Sequence, residues 1–183
     1  MKPILMTAAV LFTFALSFAL AEDAKKAKSG CPVGGQVVPF EVLDVTGPNK
    51  GKEVCYVCQN GAKPVVLIFA REIDKGVASL VKAVDEAHKG SKSAGAFLVL
   101  MSKDQRAGED KLKKLQTETG ASIPLTVNKL GEKSPEGFEV NPAVKTTVLV
   151  YKDRTVVKNF ALDAVAEKDV KEIVEAAKKN MGS

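Results

Sequence analysis

The sequence predicts an α/β fold: a mixed central sheet with helices on both faces and a β-hairpin at its N-terminal end. Three observations carry this. First, "PVVLIFA" (64–70) and "AFLVLM" (96–101) are continuously apolar, the pattern of strands buried on both faces. Second, Ile73, Val77, Leu80, Val81, Val84 and Ala87 recur between them at helical spacing, with charge on the opposite side. Two buried strands joined by an amphipathic helix imply a right-handed parallel crossover. Third, "TTVLVYKDRTVVKNF" (146–160) reads as two strands joined by a tight turn at 152–154. A helix over 165–179 follows, with Val170, Ile173, Val174 and Ala177 on its apolar stripe. This closing unit adds antiparallel strands to the same sheet.

The remaining elements fit around that frame. "VVPFEVLDV" (37–45) alternates as a strand, and Pro39 places it at a sheet edge. "TGPNKGK" is turn chemistry, and "EVCYVC" (53–58) is a second extended piece, so the two make the N-terminal hairpin. The stretch 90–95 breaks the first helix. "EDKLKKLQTETG" (109–120) is a short helix ended by Gly120, "SIPLTV" (122–127) a minor strand, and 128–145 a loop. No internal repeat is present.

At the N-terminus, Lys2 precedes the apolar run "ILMTAAVLFTFALSFAL", and Ala19-Leu20-Ala21 supplies small residues at a cleavage site. Residues 1–21 therefore read as a signal peptide cleaved after Ala21, and the mature chain as secreted or periplasmic with no stable membrane insertion. An uncleaved anchor is the competing reading of so long a run. A lipid anchor on Cys31 is rejected, because Lys28 stands where an apolar residue is wanted. Residues 22–35, "EDAKKAKSGCPVGG", read as a flexible leader, and 36–180 as one domain. Loss of Lys2 lowers the formal charge from +5 to +4. Lysines alternate with acids and the few aromatics are not interspersed among them, which describes a solvated mixed-charge surface and excludes a nucleic-acid face.

Three cysteines, Cys31, Cys55 and Cys58, allow at most one internal disulfide and leave one thiol over. On a regular strand Cys55 and Cys58 would stand roughly 10 Å apart, whereas a disulfide needs Cα atoms within about 7 Å. Either "CYVC" is extended and unbonded, or it bends; Asn60-Gly61 favours a bend close by.

The order of elements, with these residues, resembles the thioredoxin-like fold and specifically its redoxin branch. "VGGQVVPFEVLDVTGPNKGKE" (33–53) resembles the redoxin opening, "PVVLIFA" the first buried strand, and "LKKLQTETGASIPLTV" (112–127) the helix and short strand before the variable segment. "VKTTVLVYKDRTVVKNFALDAVAEKDVKEIV" (144–174) resembles the C-terminal strand-turn-strand-helix. The resemblance implies a thiol-redox scaffold, but this chain departs from it at the site. The family's attacking cysteine stands just after the first buried strand, at the start of the next helix; here "FAREID" offers Ala70, Arg71, Glu72, Ile73 and Asp74, and no thiol. The family's cis-proline, which precedes the equivalent of Thr146-Thr147, is replaced by Lys145, so a trans bond is expected.

Three readings of the cysteines follow. Cys55 and Cys58 form a relocated redox pair, with Cys31 on its mobile leader as a resolving thiol; Lys52 and Lys63 nearby favour a thiolate. Or Cys31 bonds one of them and staples the leader to the hairpin. Or Cys55 and Cys58 hold zinc or copper, since "CYVCQNG" resembles a metal knuckle; the further ligands would have to be Cys31 and the only histidine, His88, which the last carbonyls of its helix otherwise explain. The expectation is a monomeric, exported thioredoxin-like thiol–disulfide oxidoreductase using Cys55 and Cys58 without cofactor or resident metal, acting on a protein thiol or disulfide. The alternative is a non-enzymatic binding or scaffold module with a structural disulfide. Arg71, Glu72 and Asp74 at the vacated position could border a pocket, and Tyr56 could line a groove or pack on the hairpin.

Overall fold

The computed structural model describes residues 27–89, 91 and 93–182. The expected signal peptide, 1–21, and the first part of the leader lie outside the described residues. The strands are β1 (Val42–Asp44), β2 (Glu53–Val54), β3 (Val65–Ala70), β4 (Gly95–Leu100), β5 (Leu125–Asn128), β6 (Thr146–Lys152) and β7 (Thr155–Leu162). The helices are α1 (Tyr56–Asn60), α2 (Lys75–His88), α3 (Gln105–Thr119) and α4 (Glu167–Met181). One sheet contains all seven strands in the order β2-β1-β5-β4-β3-β6-β7. β3 runs parallel to β4 and antiparallel to β6, with Val65 opposite Gly95 on one side and Tyr151 on the other. β4 and β5 are parallel, and the hairpin β1–β2 joins the sheet antiparallel to β5.

Side chains two apart on a strand share a face, and the central strands divide accordingly. Val66, Ile68 and Ala70 enter one core with Leu98, Leu100, Val148 and Val150. Val65, Leu67 and Phe69 enter the other with Phe97, Val99, Leu149 and Tyr151. The first core is closed by the apolar stripes of α2, α3 and α4, through Leu80, Val84, Leu112, Leu115, Ile173 and Ala177. The second is closed by smaller pieces: α1, the chain around Cys31 to Phe40, and the loop between β5 and β6, which brings in Phe138 and Val140. Helices thus cover both faces, unequally.

Three differences from the sequence reading concern that second cover. The strand expected over 37–45 is confined to Val42–Asp44; Pro39 has no N–H to give a ladder, and Phe40 packs against the core beside Phe138, ring centroids 4.7 Å apart. The extended piece expected over 53–58 ends at Val54, and the chain turns at once into α1. In the described part of the leader, the stretch around Ser29 to Cys31 is packed. Ser29 and Cys31 are buried, Ser29 Oγ and Thr147 Oγ1 share a hydrogen bond of 2.6 Å, and Asn159 Nδ2 donates to the carbonyls of Ser29 and Cys31. Gly30 sits at φ +85°, and a Cβ there would lie 2.7 Å from Thr147 Cγ2. Small residues let this segment lie flat on the sheet, which is why it carries no apolar period.

Asp85 fixes α2 against the turn before β5. Its carboxylate is 2 % exposed and accepts from the Ser122 N–H and hydroxyl, both at 2.7 Å, and from the Ile123 N–H at 2.9 Å. Burial opposes its ionisation, but these bonds and Lys89 outweigh that and hold the carboxyl below its ordinary range. A carboxyl depressed in the folded state stabilises fully above its unfolded value near about pH 4, and the contribution is lost as pH falls through the folded value. Asp85→Ala should cost about 2–4 kcal/mol near neutral pH, because it strands buried donors. Urea unfolding of parent and variant should show that gap closing in acid.

Candidate functional site

The dithiol is built by the end of β2. Cys55 adopts extended backbone (φ −103°, ψ 94°) and caps α1, its Sγ accepting from the Cys58 N–H at 3.1 Å. Tyr56 and Val57 turn into the second core, which fixes the helix's rotation and puts Cys58 on its outer side. The helix ends after one turn at Gly61, whose N–H donates to Val57 O at 3.2 Å and whose φ of +57° suits a residue without Cβ. The bend brings the cysteine Cα atoms to 5.2 Å, and Cys55 and Cys58 are joined by a disulfide. Cys58 is exposed, whereas Cys55 is half-buried and packs against the second core.

Tyr56, between the two cysteines, is anchored at its far end. Its hydroxyl donates to Asp44 Oδ2 at 2.6 Å. Asp44 is fully buried and also accepts from the N–H groups of Gly47 at 2.7 Å and Asn49 at 2.8 Å. Burial first, and then the bond to Asp44, push the phenol above its ordinary range, so it remains a donor. The Tyr56 ring lies 5.4 Å from that of Phe97. At the other end of α1, Asn60 Nδ2 donates to Tyr56 O at 2.8 Å. The sequence reading did not single out Asp44; its only signal was an acid just before a Gly-Pro-Asn turn.

Cys31 is a free thiol, 2 % exposed, with Sγ donating to Gly137 O at 3.2 Å. Burial pushes its thiol up, and Glu139 adds to this. Two expectations change here. The disulfide is Cys55–Cys58 and does not involve Cys31, so hydrogen bonds, not a staple, hold the leader. Cys31 is also not on a loose arm: it could resolve a mixed disulfide only after its segment had left the sheet. As for metal, no group of three or more His, Cys, Asp or Glu that could hold an ion occurs among the described residues. His88 Nδ1 is occupied with Val84 O at 2.8 Å, the helix-end role expected of it.

The position after β3 carries charge and no thiol. Asp74 caps α2, accepting from the Val77 N–H at 2.8 Å. Glu72 pairs with Lys145 at 3.1 Å, and Arg71 Nη1 donates to Glu132 O at 3.0 Å. Burial lowers the Arg71 guanidinium from its ordinary value, offset in part by Glu132. Arg71 N–H donates to Lys145 O, so the end of β3 faces the turn before β6, and the peptide bonds there are trans.

No protein-family model matches the chain, and no curated protein does. Solved structures do. A candidate protein disulfide isomerase from Bacteroides thetaiotaomicron superposes with a TM-score of 0.67 at 15% identity, over 86% of this chain and 96% of that one. A candidate thiol:disulfide interchange protein, DsbE from Chlorobium tepidum, gives 0.63 at 13%, over 83% and 99%. The peroxidoxin BcpB from Mycobacterium tuberculosis gives 0.60 at 18%, over 81% and 97%. At these identities the likeness establishes the fold, which is thioredoxin-like. No helix among the described residues is long and apolar enough to cross a membrane.

The two environments predict a labelling pattern. After mild reduction, the folded chain should take two alkyl groups, on Cys55 and Cys58, and a third on Cys31 only in denaturant. Mass spectrometry of labelled peptides reads this directly, and rapid native labelling of Cys31 would contradict the burial described above.

Proposed function

We propose that this chain is an exported thiol–disulfide oxidoreductase that has moved its dithiol from the head of β3 to the start of α1. The bond from Cys58, an exposed residue, to a half-buried and capped Cys55 is the observation that carries this reading. An incoming thiolate meets Cys58 first. In the reducing direction, the Cys58 thiolate attacks a substrate disulfide, forming a mixed disulfide and releasing one substrate thiolate. Cys55 then attacks Cys58 Sγ, re-forming Cys55–Cys58 and releasing the second. Two electrons pass from the dithiol to the substrate, and a small external thiol restores the reduced pair by the reverse exchange. The Cys58 N–H that donates to Cys55 Sγ would serve a Cys55 thiolate equally when it leaves.

The length of the closed loop supports a redox over a structural role. A bridge with a sequence separation of 3 removes little freedom from the unfolded chain, about 2 kcal/mol by loop entropy. The solved neighbours described as disulfide isomerase and interchange proteins add support for thiol chemistry, with a protein thiol or disulfide as the partner. The expected signal peptide would deliver the chain to the periplasm or medium, where disulfides persist.

The test is disulfide reduction with dithiothreitol as electron source. Cys58→Ser should lower the rate by at least about 100-fold, since it removes the attacking group, with the thermal midpoint nearly that of the reduced parent. Cys55→Ser, reduced and freed of dithiothreitol before it meets the substrate disulfide, should accumulate a mixed disulfide on Cys58, visible by mass. A parent protein no faster than dithiothreitol alone would end the proposal.

A further inference from the structure

Breaking the Cys55–Cys58 bond removes a covalent constraint from a helix of five residues, a length that does not hold itself together in water. What keeps the two thiols facing each other in the reduced protein must therefore come from outside α1. The described contacts supply it. Val57 is fully buried, and Asn60 lies over Gly95, where an added Cβ would overlap its Oδ1. The strongest tie is at Tyr56, the residue between the cysteines. Its partner, Asp44, is itself immobilised by two backbone N–H groups of the β1–β2 turn. That turn is shaped for the contact: a Cβ on Gly47 would stand 2.7 Å from both Asp44 Oδ2 and the Tyr56 hydroxyl. A short, buried hydrogen bond to a charged acceptor is among the stronger neutral-donor contacts a protein makes.

We propose that Asp44 and Tyr56 are positioning residues for the dithiol: their hydrogen bond holds the start of α1 in place when the disulfide opens, and so sets the effective concentration of one thiol at the other. This inference rests on the reading of Cys55–Cys58 as a redox pair. A held pair closes readily, so the tether favours the disulfide and lowers the pair's reduction potential. Neither residue touches sulfur chemistry directly.

The test is the equilibrium of the whole chain with oxidised and reduced glutathione: protein dithiol plus one oxidised glutathione gives protein disulfide plus two reduced. Tyr56→Phe keeps the ring against Phe97 and removes the hydroxyl. It should lower the equilibrium constant for closing the bond about tenfold, a rise in potential of about 30 mV. Asp44→Asn, with a weaker acceptor, should move it the same way and serves if Tyr56→Phe does not fold. Ile173→Val, in α4 and the other core, should lower the thermal midpoint and leave the equilibrium within about twofold. A constant unchanged in the folded Tyr56 or Asp44 variant, or shifted as much by Ile173→Val, would overturn the inference. The equilibrium is read whether or not the chain turns over substrate. An inactive parent whose constant still falls in Tyr56→Phe would sink the proposed activity and leave the tether standing.

Discussion

Alternate side chains of β3 enter two separate cores, with Val66, Ile68 and Ala70 on one face and Val65, Leu67 and Phe69 on the other. The strand therefore needs cover on both sides. Three amphipathic helices meet that need on the first face. On the second, no long helix lies among the described residues, and the cover is assembled from the chain around Cys31 to Phe40, the single turn α1 and the loop bearing Phe138. The position of the dithiol follows from this. α1 exists because Tyr56 and Val57 are drawn down onto Phe97 and its neighbours, and Cys55 and Cys58 lie where that turn meets water.

The head of β3 shows the reverse case, a position fixed by backbone bonds and occupied by charged side chains. Backbone bonds join Arg71 to Lys145 and Met101 to Ala70, so the end of β3 is held to the chain on both sides. Its side chains are now tied to one another: Glu72 to Lys145, Arg71 to the Glu132 carbonyl, and Lys103 to the Glu132 carboxylate at 3.4 Å. Exposed pairs of this kind contribute little stability individually. Glu72, Lys145 and Lys103 thus present solvated charge there, whereas the Arg71 guanidinium is partly buried.

Long periodic segments were legible in the sequence, because β3, β4, α2 and α4 bury whole faces and their residues recur accordingly. So was the absence of a thiol from 70–74, which needs only the strand's end to be placed. α1 was not legible. "EVCYVC" reads as an extended piece, and one helical turn is too short for its own preferences to decide; tertiary contacts of Tyr56 and Val57 decided it. The packed leader escaped for the opposite reason, since Ser29, Gly30 and Cys31 fit the sheet by being small and leave no apolar rhythm. The pairing of Cys55 with Cys58 depended on a bend that the sequence left open, with Asn60-Gly61 favouring it, and the burial of Cys31 depended on the packing of its own segment. Phe138 was hidden inside a loop whose composition is polar.

On the proposed reading, the place of the dithiol decides which physical effect governs its sulfur. At the head of β3, a thiol would stand at the start of a helix of 14 residues, α2, where aligned peptide dipoles favour a thiolate. α1 has five residues and contributes one directed N–H, from Cys58 to Cys55 Sγ. Stabilisation of the thiolate is thus a smaller lever here, and the ease of closing the bond depends more on how firmly the two thiols are held together. The surrounding design agrees with that emphasis. The buried carboxylate of Asp44 is not aimed at sulfur, where a negative charge would disfavour a thiolate; it is spent on the backbone of a turn and on the hydroxyl of the residue that stands between the cysteines.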